Sequence, residues 1–422
     1  MAGQLTNWAR NITFGARQSY RPTSVAELQR LVAGSDRLRP LGTGHSFNRI
    51  ADTTGDQVSV ADLPATLAVD TAHSTVTVAG GIRYSELAAR LNKLGYALHN
   101  LGSLPHISVA GACATGTHGS GVTNGNLATA VSAMEFVTAE GDLVTRSRAA
   151  DGDEFAGLVV GLGGFGVVTS LTLDIEPTFD VRQYVYEGLP VSELAEHFQD
   201  IVTSEYSVSL FTDWRTDRIN QVWLKRRATA STPAGAPEHW YGAAPATGPR
   251  NPVPGMPADN ATQQQGVPGP WHERLPHFRP EFTPSSGEEL QSEYLLGREQ
   301  ATQAFAALAE LSDRIAPLLQ ICEIRTIAAD HLWLSPSYRR DTVAFHFTWV
   351  QDTAAVTEVL GEIEQRLAPF GARPHWGKVF TTSAATVRGL YERLPDFERL
   401  LAGYDPAGKF RNALLDQYFP AE

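Results

Sequence analysis

The chain has 422 residues, 42% hydrophobic, 9% aromatic and 19% charged, an ordinary globular composition long enough for two domains of about 100–200 residues each. Its 34 basic and 46 acidic side chains give a formal charge of −12 with no offsetting basic cluster, which argues against a nucleic-acid or membrane partner. Cys113 and Cys322, the only cysteines, suit neither a disulfide framework nor a zinc site, and no signal-peptide core or apolar run of about 18 residues is present; a soluble, cytoplasmic, metal-free protein is expected.

From the N-terminus, Ser24 and Glu27 have capping-box spacing before Leu28, Leu31 and Val32, with Gly34 placed to stop the helix. Thr75 to Ala79 predicts a strand with Val76 and Val78 on one face. It runs through Gly80 and Gly81 into a helix bearing Leu87, Leu91 and Leu94, ended by Gly95. Val131–Thr145 predicts a hairpin turning at Glu140, Gly141 and Asp142, and Val167 to Ile175 alternate as a strand that ends near Pro177. Residues 1–177 therefore read as an α+β domain.

Beyond Pro177, Ser207–Trp214, Leu319–Ile327 and Thr342–Val350 predict the longer strands of a second domain. Between Pro233 and Pro284 lie 12 of the 25 prolines, a density that forbids regular helix or central strand. His239, Trp240, Tyr241, Trp271, His277 and Phe278 make this stretch more aromatic than a linker, so an extended loop packed on a domain surface is expected.

Gly161, Gly163 and Gly166 satisfy G-x-G-x-x-G, but a strand follows where a dinucleotide site needs a helix. His272 and Glu273 precede His277 at one residue too many for H-E-x-x-H. More informative are L-G-T-G-H-S-F-N at Leu41 to Asn48 and G-A-C-A-T-G-T-H-G-S-G at Gly111 to Gly121. Both combine glycines, which let backbone N–H groups approach an anion, with hydroxyls that donate to phosphate oxygens. Pleat geometry adds a second patch. On Leu319–Ile327, Glu323 and Arg325 share a face with Cβ atoms about 7 Å apart, opposite Cys322 and Ile324. On Thr342–Val350, His346 and Thr348 share one face and Phe345, Phe347 and Trp349 the other, so a half-buried sheet presents an acid, a cation, an imidazole and a hydroxyl.

The two glycine loops, G-G-x-R-Y-x-E-L at Gly80 to Leu87, the run from Leu101 to Gly121 and the segment Gly164 to Thr169 resemble the vanillyl-alcohol-oxidase-type FAD flavoproteins. His375-Trp376-Gly377-Lys378 is similar to the H-W-x-K motif of their sugar and aldonolactone oxidase branch. With Glu323-Ile324-Arg325 and the proline-rich stretch, the whole chain resembles the alditol (xylitol) oxidase family. The resemblance implies a two-domain α+β fold: residues 1–177 bind FAD, 178–378 form an antiparallel-sheet substrate domain with a proline-rich loop at 230–285, and 379–422 return to the FAD domain.

It also implies residue roles. FAD would be bonded covalently to His45 and cradled by Leu41, Gly42, Thr43, Gly44, Ser46 and Phe47 and by Ala114, Thr115, Gly116, Thr117 and His118. Ser103 and Ser108 would flank the flavin, and Val167 would meet the adenine end. Ser103, Glu323, Arg325, Thr348 and Lys378 would bind a polyol, with Lys378, Arg325 and His346 catalytic; His346 is the expected proton acceptor because a neutral imidazole titrates in the right range. The implied reaction is hydride transfer from C1 of an alditol to flavin N5, dioxygen then giving hydrogen peroxide, with a monomer as the working unit. An aldonolactone oxidase or dehydrogenase is the alternative.

Overall fold

The computed structural model describes residues 5–229, 235, 237–283 and 288–420. In the first half, β1 (Leu67–Asp70), β2 (Thr75–Ala79), β3 (Val131–Val137), β4 (Leu143–Ser147) and β5 (Val167–Asp174) form a sheet ordered β1-β2-β5-β3-β4, with every neighbouring pair antiparallel. In β5, Val167, Thr169, Leu171 and Leu173 are buried while Val168, Ser170, Thr172 and Asp174 are half-buried, the period of two expected of a strand on one core. The turn of the β3–β4 hairpin is closed by Gly141, whose φ of +92° suits glycine and whose N–H donates to Thr138 O.

Helix α1 (Val25–Gly34) starts where Ser24 Oγ accepts from Glu27 N at 3.2 Å. The Glu27 carboxylate accepts from Thr23 N rather than from Ser24 N, so the capping box is displaced by one residue. Helix α2 (Tyr84–Lys93) buries Leu87 and Leu91, but Leu94 is 54% exposed because the helix has already ended before it.

In the second half, β6 (Asp180–Pro190), β7 (Ser207–Thr212), β8 (Arg218–Ala228), β9 (Leu290–Gly297), β10 (Leu319–Ile327) and β11 (Thr342–Trp349) run in the order β6-β8-β7-β10-β11-β9, again antiparallel throughout. One face, with Leu210, Cys322, Ile324, Phe345 and Phe347, packs on α3 (Val191–Thr203), α4 (Ala301–Ala309) and α5 (Thr353–Leu367). Each fully buried aliphatic or aromatic side chain there stabilises by about 1.5–3 kcal/mol. The opposite face is covered as well. Every residue of β9 and β11 is buried, so the sheet is not half-buried as its alternation had suggested.

Residues 237–283 of the proline-rich stretch run as an extended loop that adds short edges, Ala244–Pro245 and Gly269–Pro270, to β6 and buries Trp240, Trp271, His277 and Phe278. Residues 230–234, 236, 284 and 285, also part of that reading, lie outside the described residues. After Lys378, Val387, Leu394, Phe397, Leu401, Leu415 and Phe419 join Val76, Leu87 and Leu171 in one core, which also takes in Trp333, Leu334, Tyr338 and Trp376. Among the described residues no helix is long and apolar enough to cross a membrane.

Candidate active site

A cavity of about 570 Å³ runs from the first sheet to the inner face of the second. Leu41, Gly42, Thr43, Gly44, His45, Ser46 and Phe47 line one wall, and Ser108, Ala114, Thr115, Thr117, His118 and Val167 another. Gly116 is absent from the lining: it makes a turn with φ +67° facing Pro336. Ser108 is wedged between the loops, so that a Cβ on Gly42 would meet its Oγ at 2.6 Å and one on Gly111 at 2.9 Å. Those two glycines allow the loops to close on each other and leave backbone, not side chain, facing the cavity. Such walls fit a bound dinucleotide.

His45 lies on the cavity wall, its ring stacked on Trp8 with centroids 4.5 Å apart. Residues 7 and 8 are tied to its loop by Trp8 N donating to Gly44 O at 2.8 Å and Asn7 Nδ2 to Ser46 O at 3.0 Å. Burial, with His106 and Arg83 adding, pushes the imidazole down to about 3, so it is neutral. Its Nε2 is buried without a hydrogen-bond partner among the described residues. An orphaned imidazole nitrogen in a cofactor-sized cavity suits attachment to a group that fills it.

At the other end, register builds the site. Phe211, Glu323, His346 and Glu293 are successive cross-strand neighbours on β7, β10, β11 and β9, and all face the cavity. Arg325 Nη2 donates to Glu293 Oε1 at 2.9 Å and Nη1 to Ser103 Oγ at 3.2 Å, with Nε 3.6 Å from Glu323 Oε1. Lys378 Nζ donates to Glu293 Oε2 at 2.6 Å and to His346 Nδ1; His346 Nε2 lies 3.2 Å from Thr348 Oγ1. Lys378 reaches this point because its turn is bound on two sides. His375 N donates to Glu293 O and Val379 N to Gln291 O, while Asn48 Nδ2 holds the carbonyls of Trp376 and Lys378, each at 2.8 Å. The first glycine loop and the H-W-x-K turn are therefore one unit.

Burial sets the electrostatics. It opposes ionisation of Glu293, but Lys378, His118 and Arg325 outweigh it and hold the carboxyl well below the usual range. Glu323 is likewise held low by Arg325 and His277 against burial. Burial pushes Lys378 down to about 8 against the pull of Glu293, and His346 to about 4 with Lys378 adding. An ammonium can only donate, so His346 Nδ1 accepts from Lys378 and its proton sits on Nε2. The lone pair expected to serve as proton acceptor is engaged.

Two functional side chains were not picked out from sequence. Glu293 sits in Leu290–Gly297, a strand buried along its whole length that reads L-Q-S-E-Y-L-L-G, and a carboxylate next to the apolar run Tyr294 to Leu296 was the available signal. His277, whose Nε2 is 2.7 Å from Glu323 Oε1, comes from the proline-rich loop, where no periodicity gives direction.

Residues 17–147 match the family of FAD binding domains and residues 288–418 that of D-arabinono-1,4-lactone oxidase. An alditol oxidase from Streptomyces sp. (strain IKD472 / FERM P-14339) is 54% identical over 419 residues, 98% of this chain and 99% of that protein. L-gulono-1,4-lactone dehydrogenase of Mycobacterium tuberculosis is 27% identical over 425 residues, 95% of this chain and 94% of its own. Cholesterol oxidase from B. sterolicum superposes with a TM-score of 0.81 over 99% of this chain and 96% of that one at 16% identity, a likeness of fold alone. With near full-length identity to one relative and an FAD-binding N-terminal region, the chain belongs to the alditol oxidase family of vanillyl-alcohol-oxidase-type FAD flavoproteins.

Proposed function

We propose that the chain is an FAD-dependent oxidase that converts the C1 primary hydroxyl of alditols such as xylitol and sorbitol to the aldose while dioxygen becomes hydrogen peroxide. The observation that carries this reading is one continuous cavity, glycine-lined at one end and holding Glu293, Glu323, Arg325, Lys378 and Ser103 at the other. Residues 1–177 with 379–422 would hold FAD and 178–378 the polyol. Bound FAD supplies a hydride acceptor that dioxygen can reoxidise. The cavity residues do the rest. Every hydroxyl of a polyol both donates and accepts; Glu323 accepts, Arg325 donates, and Ser103 and Thr348 do either. Arg325, charged at all working pH, stabilises negative charge developing on the reacting oxygen.

The proton of the C1 hydroxyl leaves through Lys378, backed by His346. Of that pair only Lys378 changes charge near neutrality, and only its neutral form can accept. Kcat/KM is therefore expected to rise with pH through about 8 and level off above it. Lys378→Met should flatten that limb; an unchanged limb in this variant would assign the proton elsewhere.

The covalent bond is assigned to His45. Acid-precipitated protein should stay yellow, and His45→Ala should hold FAD that dissociates on denaturation. Flavin released from the unmodified protein by acid would overturn the bond while leaving the reaction intact. Cys113 and Cys322 are buried free thiols, in keeping with a cytoplasmic enzyme, and one chain carries all the groups named, in keeping with a monomer. Because residues 288–418 match a lactone oxidase family, an aldonolactone is the second reading. Peroxide release across a panel of alditols and aldonolactones decides: turnover confined to lactones would replace the first reading.

A further inference from the structure

We infer that Lys225 and His277 form a positioning relay for Glu323, through which the proline-rich loop sets how a substrate hydroxyl is held; this rests on the polyol reading above. Lys225 lies on β8 and is 1% exposed, a cost unless all three of its N–H groups are matched. They are. Nζ donates to Leu275 O, to Pro276 O at 3.2 Å and to His277 Nδ1 at 3.1 Å. The first two acceptors are backbone carbonyls of the loop, which Thr262 also grips through Pro276 O at 2.7 Å.

The third acceptor fixes a tautomer. Because Nδ1 accepts from Lys225, the His277 proton sits on Nε2, and Nε2–H donates to Glu323 Oε1 at 2.7 Å. Burial, with Lys225 adding, pushes His277 down to about 4, so the ring is neutral; burial lowers Lys225 to about 7 against the pull of Glu323, and it is the ammonium form that fixes the tautomer. Phe211 and Trp223 meet the ring edge-on with centroids 5.4 and 5.2 Å away, which fixes its plane. His277 N also donates to Ser103 O at 3.2 Å. One loop residue thus holds both Glu323 and Ser103. Glu323 Oε1 accepts from His277 and lies 3.6 Å from Arg325 Nε, which leaves Oε2 to accept from a hydroxyl.

A purely structural Lys225 would influence stability and nothing else. The holoenzyme separates the two roles in three variants: Lys225→Met, His277→Ala and His277→Gln, the last keeping an N–H donor at the reach of Nε2. Loss of a hydrogen bond to a charged group predicts that Lys225→Met and His277→Ala raise KM for xylitol about tenfold or more, with flavin content unchanged and kcat altered far less. His277→Gln should recover most of that loss. An unchanged KM in either flavin-loaded variant, or a His277→Gln variant as impaired as His277→Ala, would overturn the relay. Should Lys225→Met fail to fold, the two His277 variants decide. A wild-type protein that oxidises no alditol sinks the polyol reading and not the relay. Nitrogen NMR of histidine-labelled protein then reads the tautomer directly: protonation of His277 at Nε2 is the expected result, and protonation at Nδ1 contradicts it.

Discussion

Glu293→Gln should be the most damaging single change in the cavity. Two carboxylates, Glu293 and Glu323, here face two cations, Arg325 and Lys378; three of the four are buried and Lys378 is largely so. Removing one negative charge at constant shape leaves a net positive charge in the interior. Breaking a buried pair in this way costs about 3–5 kcal/mol, far more than the pair contributes over a neutral alternative. Lys378 bears most of the change, because Arg325 keeps Glu323 at 3.6 Å whereas Lys378 keeps only the neutral His346. Without Glu293 to raise it, the Lys378 pKa falls below about 8, and the rising limb of kcat/KM moves to lower pH. A melting temperature lowered by several degrees with an acid-shifted limb is expected. An unshifted limb would mean that Glu293 does not set the charge on Lys378.

The second large effect belongs to Arg325→Ala. It leaves Glu293 to Lys378 and Glu323 to His277, two carboxylates without the guanidinium between them, and frees Ser103 Oγ from Arg325 Nη1. Truncation at a buried, hydrogen-bonded charge predicts a fall in kcat/KM of at least about 100-fold. An exposed ion pair of the same residues would lose less than about fivefold. Flavin content should not change, since Arg325 bonds to the substrate-side groups and not to the glycine loops. Near wild-type kinetics would mean that Arg325 is structural only.

Much of this site was readable because strands have a fixed period. The pleat of β10 and β11 alone puts Glu323, Arg325, His346 and Thr348 on one side and Ile324, Phe345 and Phe347 on the other, and the structure has them so. Period does not give register, however. That Glu293, His346 and Glu323 stand abreast depends on how β9, β11 and β10 align, which no local pattern encodes. Nor does it reveal what covers the second face, and so the sheet's burial was underestimated. His277 was invisible for a different reason: proline removes regular structure, and with it the rule that converts spacing into direction. Leu94 shows the same limit at a helix end, where the apolar stripe continues in sequence after the helix has stopped. The glycine loops were legible as backbone-lined turns, yet the wedge of Ser108 against Gly42, 66 residues earlier, is a tertiary contact that no local pattern shows.

In the reading proposed above, the acid–cation patch presents an alditol to the cofactor in the adjoining cradle. Anaerobic mixing of the purified yellow protein with xylitol tests it most directly. The visible flavin absorption should bleach, one aldose should form per flavin, and admitting air should restore the colour with release of peroxide. Absorption that stays unchanged with every alditol, while an aldonolactone bleaches it, would assign the patch to lactones and not to polyols.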